Sequence, residues 1–291
     1  MTRFATVAFV LTLGFSTALA ADLPNIIYVL TDDLGIGDLS CYNAESKIQT
    51  PFVDRLAGEG MRFTDAHTPS AVCTPTRYGI LTGRYCWRTR LKYRVLDGFD
   101  PPLITEDQVT VPSLLQDAGY DTHCVGKWHL GMQWTDKEGN PVPAVPIDRK
   151  TPPRPGKDVD YTIPVTGGPV AVGFDTWFGI SASLNMSPFC YIVNDRPYRL
   201  PILHHERVRT EFITVDEGVR SPDFSIYGVM PRFAGEAVRI IEEQAKNPDE
   251  PFFLCAPLSS PHLPVVPNEE YRNASEAGLY GDFVVETDAF L

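Results

Sequence analysis

The sequence predicts an α/β fold, and three observations carry that expectation. Three short, continuous apolar runs stand far apart in the chain, each ending in a cluster of polar residues. Segments with apolar residues at helical spacing fill the intervals between them. Continuous apolar runs suit strands covered on both faces, as in parallel sheets, and strands alternating with helices define the class.

In chain order, Asn25-Ile26-Ile27-Tyr28-Val29-Leu30 is the first strand, running into Thr31-Asp32-Asp33-Leu34-Gly35. Thr50-Pro51 then opens a helix through Phe52, Leu56 and Ala57 that stops near Gly58 or Gly60. Pro75 fits the first turn of a second helix and places Cys73 at its positive N-terminal end. Thr110 and Pro112 start a third, through Leu114, Leu115 and Ala118, stopped by Gly119. Thr122-His123-Cys124-Val125 is the second strand, ending in Gly126-Lys127-Trp128-His129. Residues 140–169 are rich in Pro, Gly and charge and read as a long loop within one domain. Phe233, Ala237, Ile240, Ile241 and Ala245 mark a fourth helix, and Phe252-Phe253-Leu254-Cys255-Ala256 the third strand, leading to Ser259-Ser260-Pro261-His262. Residues 282–291 read as the opening of an amphipathic helix with no stop signal after it, so the sequence reads as cut within a domain. Because ligands bind beyond the carboxyl ends of strands in such sheets, the three polar clusters are expected to share one site.

The chain has 291 residues, 43% hydrophobic, enough for one large core. A formal charge of −12 argues against a general nucleic-acid or anionic-membrane binder, so an anionic substrate would need a local cluster of cations. Residues 1–20 read as a secretory signal: Arg3 supplies the positive start, Phe4 to Leu19 is largely apolar, and Ala18-Leu19-Ala20 is a small-x-small cleavage pattern. The expected product is secreted or periplasmic and begins near Ala21, and no other segment is long and apolar enough to insert stably in a membrane. The six cysteines show no CxxC pair; Cys124 and Cys255 sit in apolar runs and read as buried structural thiols.

Several clusters carry candidate chemistry. Cys73 at a helix N-terminus, with Arg77 one turn on, suits an oxyanion. Asp32 and Asp33, directly after a strand, are hard oxygen ligands for a divalent cation or simply turn residues. Lys127 and His129 alternate across a strand end, and His262 follows a strand beside Pro261. Arg77, Lys127, His129 and His262 together form the required local cation cluster. His67, His123, His204 and His205 belong to no motif and read as structural or solvated.

Cys73-Thr74-Pro75-Thr76-Arg77 with the trailing Leu81-Thr82-Gly83-Arg84 resembles the signature of the type I, formylglycine-dependent sulfatases, arylsulfatase-like in pattern. The likeness extends to Pro24-Asn25-Ile26-Ile27 leading into Asp32-Asp33, to Gly126-Lys127-Trp128-His129-Leu130-Gly131 and to Ser260-Pro261-His262, all in the family's order.

The resemblance implies an alkaline-phosphatase-like fold, a mixed and mostly parallel sheet flanked by helices on both faces. Residues 21–291 would be the N-terminal part of the catalytic domain. It further implies that a formylglycine-generating enzyme converts Cys73 to 3-oxoalanine (formylglycine). One hydroxyl of its hydrate attacks a sulfate monoester, of a carbohydrate or other small molecule, and the second expels sulfate.

By the same resemblance Asp32, Asp33 and residue 73 hold Ca²⁺, with Mg²⁺ the alternative. Lys127 binds sulfate, His129 is the candidate base, and His262 is a sulfate ligand or the proton donor to the leaving oxygen. Ser183 matches by spacing a sulfate-contacting serine, and a plain loop serine fits it as well.

The family completes its metal site with an Asp-Asn pair and a further Lys beyond the segment matched by residues 280–288, so this polypeptide alone is expected to have little activity. Two other readings stand beside this one: a phosphate or phosphonate ester hydrolase of the same superfamily, and a catalytically silent protein that binds sulfated glycans through an unmodified Cys73.

Overall fold

The computed structural model describes residues 23–145 and 151–291; the secretory-signal expectation falls outside them. Among the described residues there are ten strands and five α-helices. β1 (Ile26–Asp32) is followed by α1 (Pro51–Glu59), α2 (Cys73–Thr82), α3 (Val111–Asp117) and β2 (Asp121–Lys127). Then come β3 (Thr176–Ile180), β4 (Ile192–Val193), β5 (Arg196–Pro197) and the short hairpin strands β6 (Leu203–His205), β7 (Val208–Arg209), β8 (Thr214–Val215) and β9 (Gly218–Arg220). The long α4 (Val229–Gln244) leads into β10 (Phe252–Pro261), and α5 (Gly278–Asp288) closes the order.

The central sheet has six strands in the order β1-β10-β2-β3-β4-β5. β1, β10, β2 and β3 pair in parallel, while β4 and β5 add an antiparallel edge. The three apolar runs are thus immediate neighbours although 131 residues separate Cys124 from its register partner Cys255.

Strand periodicity sorts the core onto two faces. Cys124, Phe253 and Cys255 pack with Tyr78 and Leu81 of α2. Val125, Phe252 and Leu254 pack on the other face with Phe233, Ala237 and Ile240 of α4. Both α4 and α5 lie against β10, Phe283 of α5 beside Ala256 and Leu258. Helices therefore cover both faces, as expected, and all six cysteines are free thiols.

Three elements differ from the sequence reading. β1 is covered less than a fully buried strand would be: it ends the sheet order, and Ile27 and Tyr28 remain 50% and 36% exposed. The C-terminal helix starts earlier, at Gly278, and ends at Asp288. It is also not amphipathic: Asp282, Glu286 and Asp288 are buried with Phe283 and Val284 because each carboxylate accepts backbone N–H groups from a neighbouring segment. Helix α4 begins at Val229, four residues before the apolar periodicity becomes clear.

Candidate functional site

Because β1, β10 and β2 lie side by side, their polar ends meet at one edge of the sheet. Asp32 closes β1, Leu258 to Pro261 close β10, and Lys127 closes β2. Gly126 makes the approach possible: at φ 146° its missing Cβ would fall 2.2 Å from the Pro257 carbonyl oxygen, so a larger residue would push the strands apart.

Helix α2 delivers Cys73 and Arg77 to the same edge. Cys73 is its first residue; Val72, extended at φ −133°, precedes it and no side chain caps the end. Pro75 occupies the first turn, where its missing N–H has no intrahelical partner to lose.

The Arg77 guanidinium donates to three adjacent strands: to the Asp32 carboxylate at 2.9 Å, to the Leu258 carbonyl at 2.9 Å and to the Lys127 carbonyl at 2.5 Å. Its planar fork of donors suits such a staple, which a lysine could not reproduce. The ammonium of Lys127 donates to the same Asp32 oxygen, Oδ2, at 2.5 Å, and the Cys73 thiol to Oδ1 at 3.3 Å. Arg77, Lys127 and Asp32 side chains are 4%, 0% and 5% exposed.

Electrostatics follow from this packing. Burial alone would raise the Asp32 carboxyl, but Lys127 and then Arg77 more than reverse it and hold the group well below the usual carboxylate range. Burial pushes the Cys73 thiol up, with Lys127 opposing and Asp32 assisting, so the thiol stays protonated at neutral pH. A protonated, buried thiol is a poor nucleophile as it stands.

His129 lies past the end of β2 in the left-handed region, at φ 58°, so strand alternation does not set its direction as the sequence suggested. Instead its backbone N–H donates to the Ser181 carbonyl at 2.9 Å, and its carbonyl accepts from the Thr74 hydroxyl at 2.9 Å. Nε2 lies 2.8 Å from the Leu96 carbonyl and must carry the proton there, which leaves Nδ1 as a buried acceptor with no partner. Burial, then Lys127 and Arg77, drive its pKa well below the ordinary imidazole value. The ring is therefore neutral, with a free lone pair.

His262 donates from Nδ1 to the Leu263 carbonyl at 2.5 Å, and its Nε2 lies 3.6 Å from Asp33 Oδ2. Ligand atoms of Asp32, Cys73 and His262 all lie within 4.8 Å of one another. The Asp33 side chain is 56% exposed. The Tyr280 hydroxyl of α5 donates to the Asp38 carboxylate at 2.7 Å and lies 3.2 Å from the Asp33 carbonyl. A cleft of about 330 Å³ opens over Asp32, Asp33, Cys73, Thr76 and Arg77.

Asp32 and Asp33 offer a divalent cation the hard oxygens it prefers, so the donor set fits in kind. It is short in number, because Ca²⁺ takes roughly six to eight oxygens. Both Asp32 oxygens also already serve Lys127, Arg77 and the thiol.

Ser183 does not line the cleft over Cys73, and neither do Lys127, His129 or His262; Ser183 is buried at 3% exposure with an unpartnered hydroxyl, as are Ser181 and Ser259. The sequence reading missed Thr74, which ties Leu96 to His129, and the Leu96 and Leu258 carbonyls. Thr74 stands inside the Cys73 motif and could have been suspected. The carbonyls carry no residue-type signal at all. His67, His123, His204 and His205 stay away from the cleft, His67 beside exposed Asp65 and His123 between Thr176 and Gln244.

A helix-borne cysteine over a buried carboxylate–lysine–arginine cluster, at the carboxyl edge of a mostly parallel sheet, is an arrangement suited to an anionic group. The chain belongs to the Sulfatase family, whose model matches residues 24–291. It is 32% identical to an N-acetylgalactosamine-6-O-sulfatase of Bacteroides thetaiotaomicron over 91% of this chain and 53% of that protein. It is 28% identical to human steryl-sulfatase over 92% of this chain and 50% of that one. A Bacteroides thetaiotaomicron protein solved in the context of the metabolism of multiple glycosaminoglycans superposes with a TM-score of 0.75 at 30% identity, covering 93% of this chain and 58% of that chain. The chain spans about half the length of the curated relatives it matches.

Proposed function

We propose that the protein hydrolyses sulfate monoesters, with residue 73 as the nucleophile after its conversion from cysteine to formylglycine by a formylglycine-generating enzyme. The observation that carries this reading is the Cys73–Asp32–Lys127–Arg77 constellation: two buried cations and a helix N-terminus surround a thiol that is itself held protonated. Formylglycine would supply a hydrated aldehyde, giving covalent catalysis with an internal release step. Ca²⁺, or Mg²⁺ in its place, would be held by Asp32, Asp33 and residue 73 and would polarise the sulfate oxygens.

The remaining work falls to this chain's own side chains. Lys127, fully buried and donating to Asp32, offers charge to the sulfate oxygens from behind that carboxylate, and Arg77 fixes Asp32 so that the cluster keeps its shape. His129 takes a proton at Nδ1, because Nε2 is committed to the Leu96 carbonyl. His262, with Nδ1 committed to Leu263, presents Nε2 beside Asp32 and Cys73 and binds sulfate or protonates the leaving alcohol. The names of the relatives support a sulfated carbohydrate as substrate. An amino-terminal Arg3 followed by the apolar run to Leu19 supports export, with processing near Ala20.

Rates on paired aryl sulfate and aryl phosphate substrates test the reaction class. The protein purified from its own host is expected to favour the sulfate by at least about a hundredfold in kcat/KM, on the order of 3 kcal/mol in transition-state binding. Equal rates, or a preference for phosphate, would transfer the site to the phosphoryl branch of the fold.

A further inference from the structure

Beyond the cleft over Cys73, the molecule carries a second feature built for anions. Residues 84–94, Arg-Tyr-Cys-Trp-Arg-Thr-Arg-Leu-Lys-Tyr-Arg, hold five cations, three aromatic side chains (Tyr85, Trp87 and Tyr93) and no carboxylate, in a chain of net charge −12. Cys86 and Leu91 pin the segment to the core at 4% and 2% exposure. Arg84, Arg88, Arg90, Lys92 and Arg94 are all exposed.

Arg84, Arg88 and Arg90 line a cleft of about 680 Å³ with Thr89, Thr105 and Gln108, and no carboxylate lines it. Among the described residues, Arg84, Arg88, Arg90 and Lys92 have no carboxylate within ion-pair distance. The nearest acids act at longer range, Asp107 on Arg84 and Asp100 on Arg90. Two carbonyls, Pro101 and Pro102, orient the Arg90 guanidinium and leave its remaining donors available. Beside this cleft the rings of Tyr85 and Trp87 stack at 5.9 Å and 21°, yet stay 55% and 60% exposed. Large exposed aromatics next to unneutralised cations mark a binding surface more often than a solvated face.

We propose that residues 84–94 form a docking strip for a sulfated glycan chain, with Arg84, Arg88 and Arg90 pairing its anionic groups and Tyr85 and Trp87 stacking on its sugar rings. The strip is distinct from the catalytic cleft. Cys73 begins α2 and Arg84 lies just past its end, so ten helical residues, about 15 Å at 1.5 Å each, separate the two. A small sulfate ester at residue 73 cannot span that length; a polymer can. The segment then returns to the catalytic residues, because Leu96, two residues after Arg94, gives its carbonyl to His129. The choice of a sulfated polymer rests on the sulfate-ester reading of the Cys73 site, while the anion affinity rests on the charges alone.

The test compares wild type with Arg84→Gln/Arg88→Gln and with Trp87→Ala. It measures the affinity for heparin, for its desulfated backbone and for single-stranded DNA of matched length, and the turnover of a small aryl sulfate. Both variants alter exposed side chains, and circular dichroism reports whether they fold.

Wild type is expected to bind heparin in a salt-sensitive manner and at least tenfold more tightly than either comparison polymer. The double variant is expected to lose about tenfold in heparin affinity, and the Trp87 variant several-fold, with small-substrate kcat/KM unchanged. Unchanged heparin affinity in folded variants, or equal affinity for DNA or the desulfated backbone, overturns the proposal. If wild type purified from its own host turns over no aryl sulfate but the variants still lose heparin binding, the hydrolytic reading fails and the docking strip stands.

Discussion

Asp32 satisfies three donors with two oxygens, and that economy defines the catalytic edge at the scale of residues. Removing its charge would leave two cations buried without a counter-charge, the costly way to break such a cluster. A second buried carboxylate behaves in the opposite sense. Burial pushes Asp97 up to about 7, with neighbouring Asp100 adding to the rise and the Phe99 N–H and Arg154 opposing it. A raised carboxyl contributes fully below its unfolded value of about 4, and stability falls as pH climbs from there through about 7, because the folded chain gives up that proton less readily. Asp97→Asn keeps an oxygen for the Phe99 N–H, 3.1 Å away, and removes the charge. It is expected to raise stability by about 1–3 kcal/mol at pH 8 and to leave it nearly unchanged at pH 4, as read from urea midpoints.

At the scale of elements, a carboxylate of the last helix reaches across the sequence to the start of the first. Asp288 of α5 accepts the Val53 N–H at 2.8 Å and the Phe52 N–H at 3.1 Å, capping α1 from 235 residues away. Thr50, the residue at the N-cap, makes no such bond itself. Asp288→Ala should therefore cost about 1–2 kcal/mol, seen as a lower urea midpoint with an unchanged m-value.

The same elements show what a sequence discloses. The strands and helices that bear the site were legible because runs of one period end in Gly, Pro or polar clusters: Pro51, Pro112 and Gly119 bracket α1 and α3 as expected. The C-terminal helix was misread because its buried carboxylates look like a solvated face until their backbone partners are known. The direction of His129 was hidden for a related reason: a positive φ and a carbonyl at Leu96 fix it, and neither leaves a pattern in the sequence. Asp32, Cys73, Arg77 and Lys127 were legible because their positions after strands or at a helix start already dictate a shared edge.

At the scale of the whole molecule, the segment of residues 52–63 leaves four large apolar side chains in water. Phe52 and Leu56, one turn apart on α1, are 49% and 62% exposed, and Met61 and Phe63 beyond it are 78% and 63% exposed. No residue of α1 is buried. Exposed apolar side chains in such number favour association in water. Purified residues 21–291 are expected to self-associate in light scattering at tens of micromolar and above, about the concentrations where exposed apolar surface promotes association. Leu56→Lys together with Phe63→Ser should shift them toward monomer, and an unchanged size distribution would show that these side chains are innocuous.

Residue 73 is proposed to be a converted cysteine that performs the chemistry. The most direct measurement is the mass of the peptide containing residue 73, taken from protein made in its own host and active on an aryl sulfate, beside a Cys73→Ala variant. The account predicts a peptide about 18 Da lighter than the cysteine form, a covalent change no fold alone produces, and loss of turnover in the variant by at least about a thousandfold. An active protein whose residue 73 keeps the full mass of an unmodified thiol would contradict it.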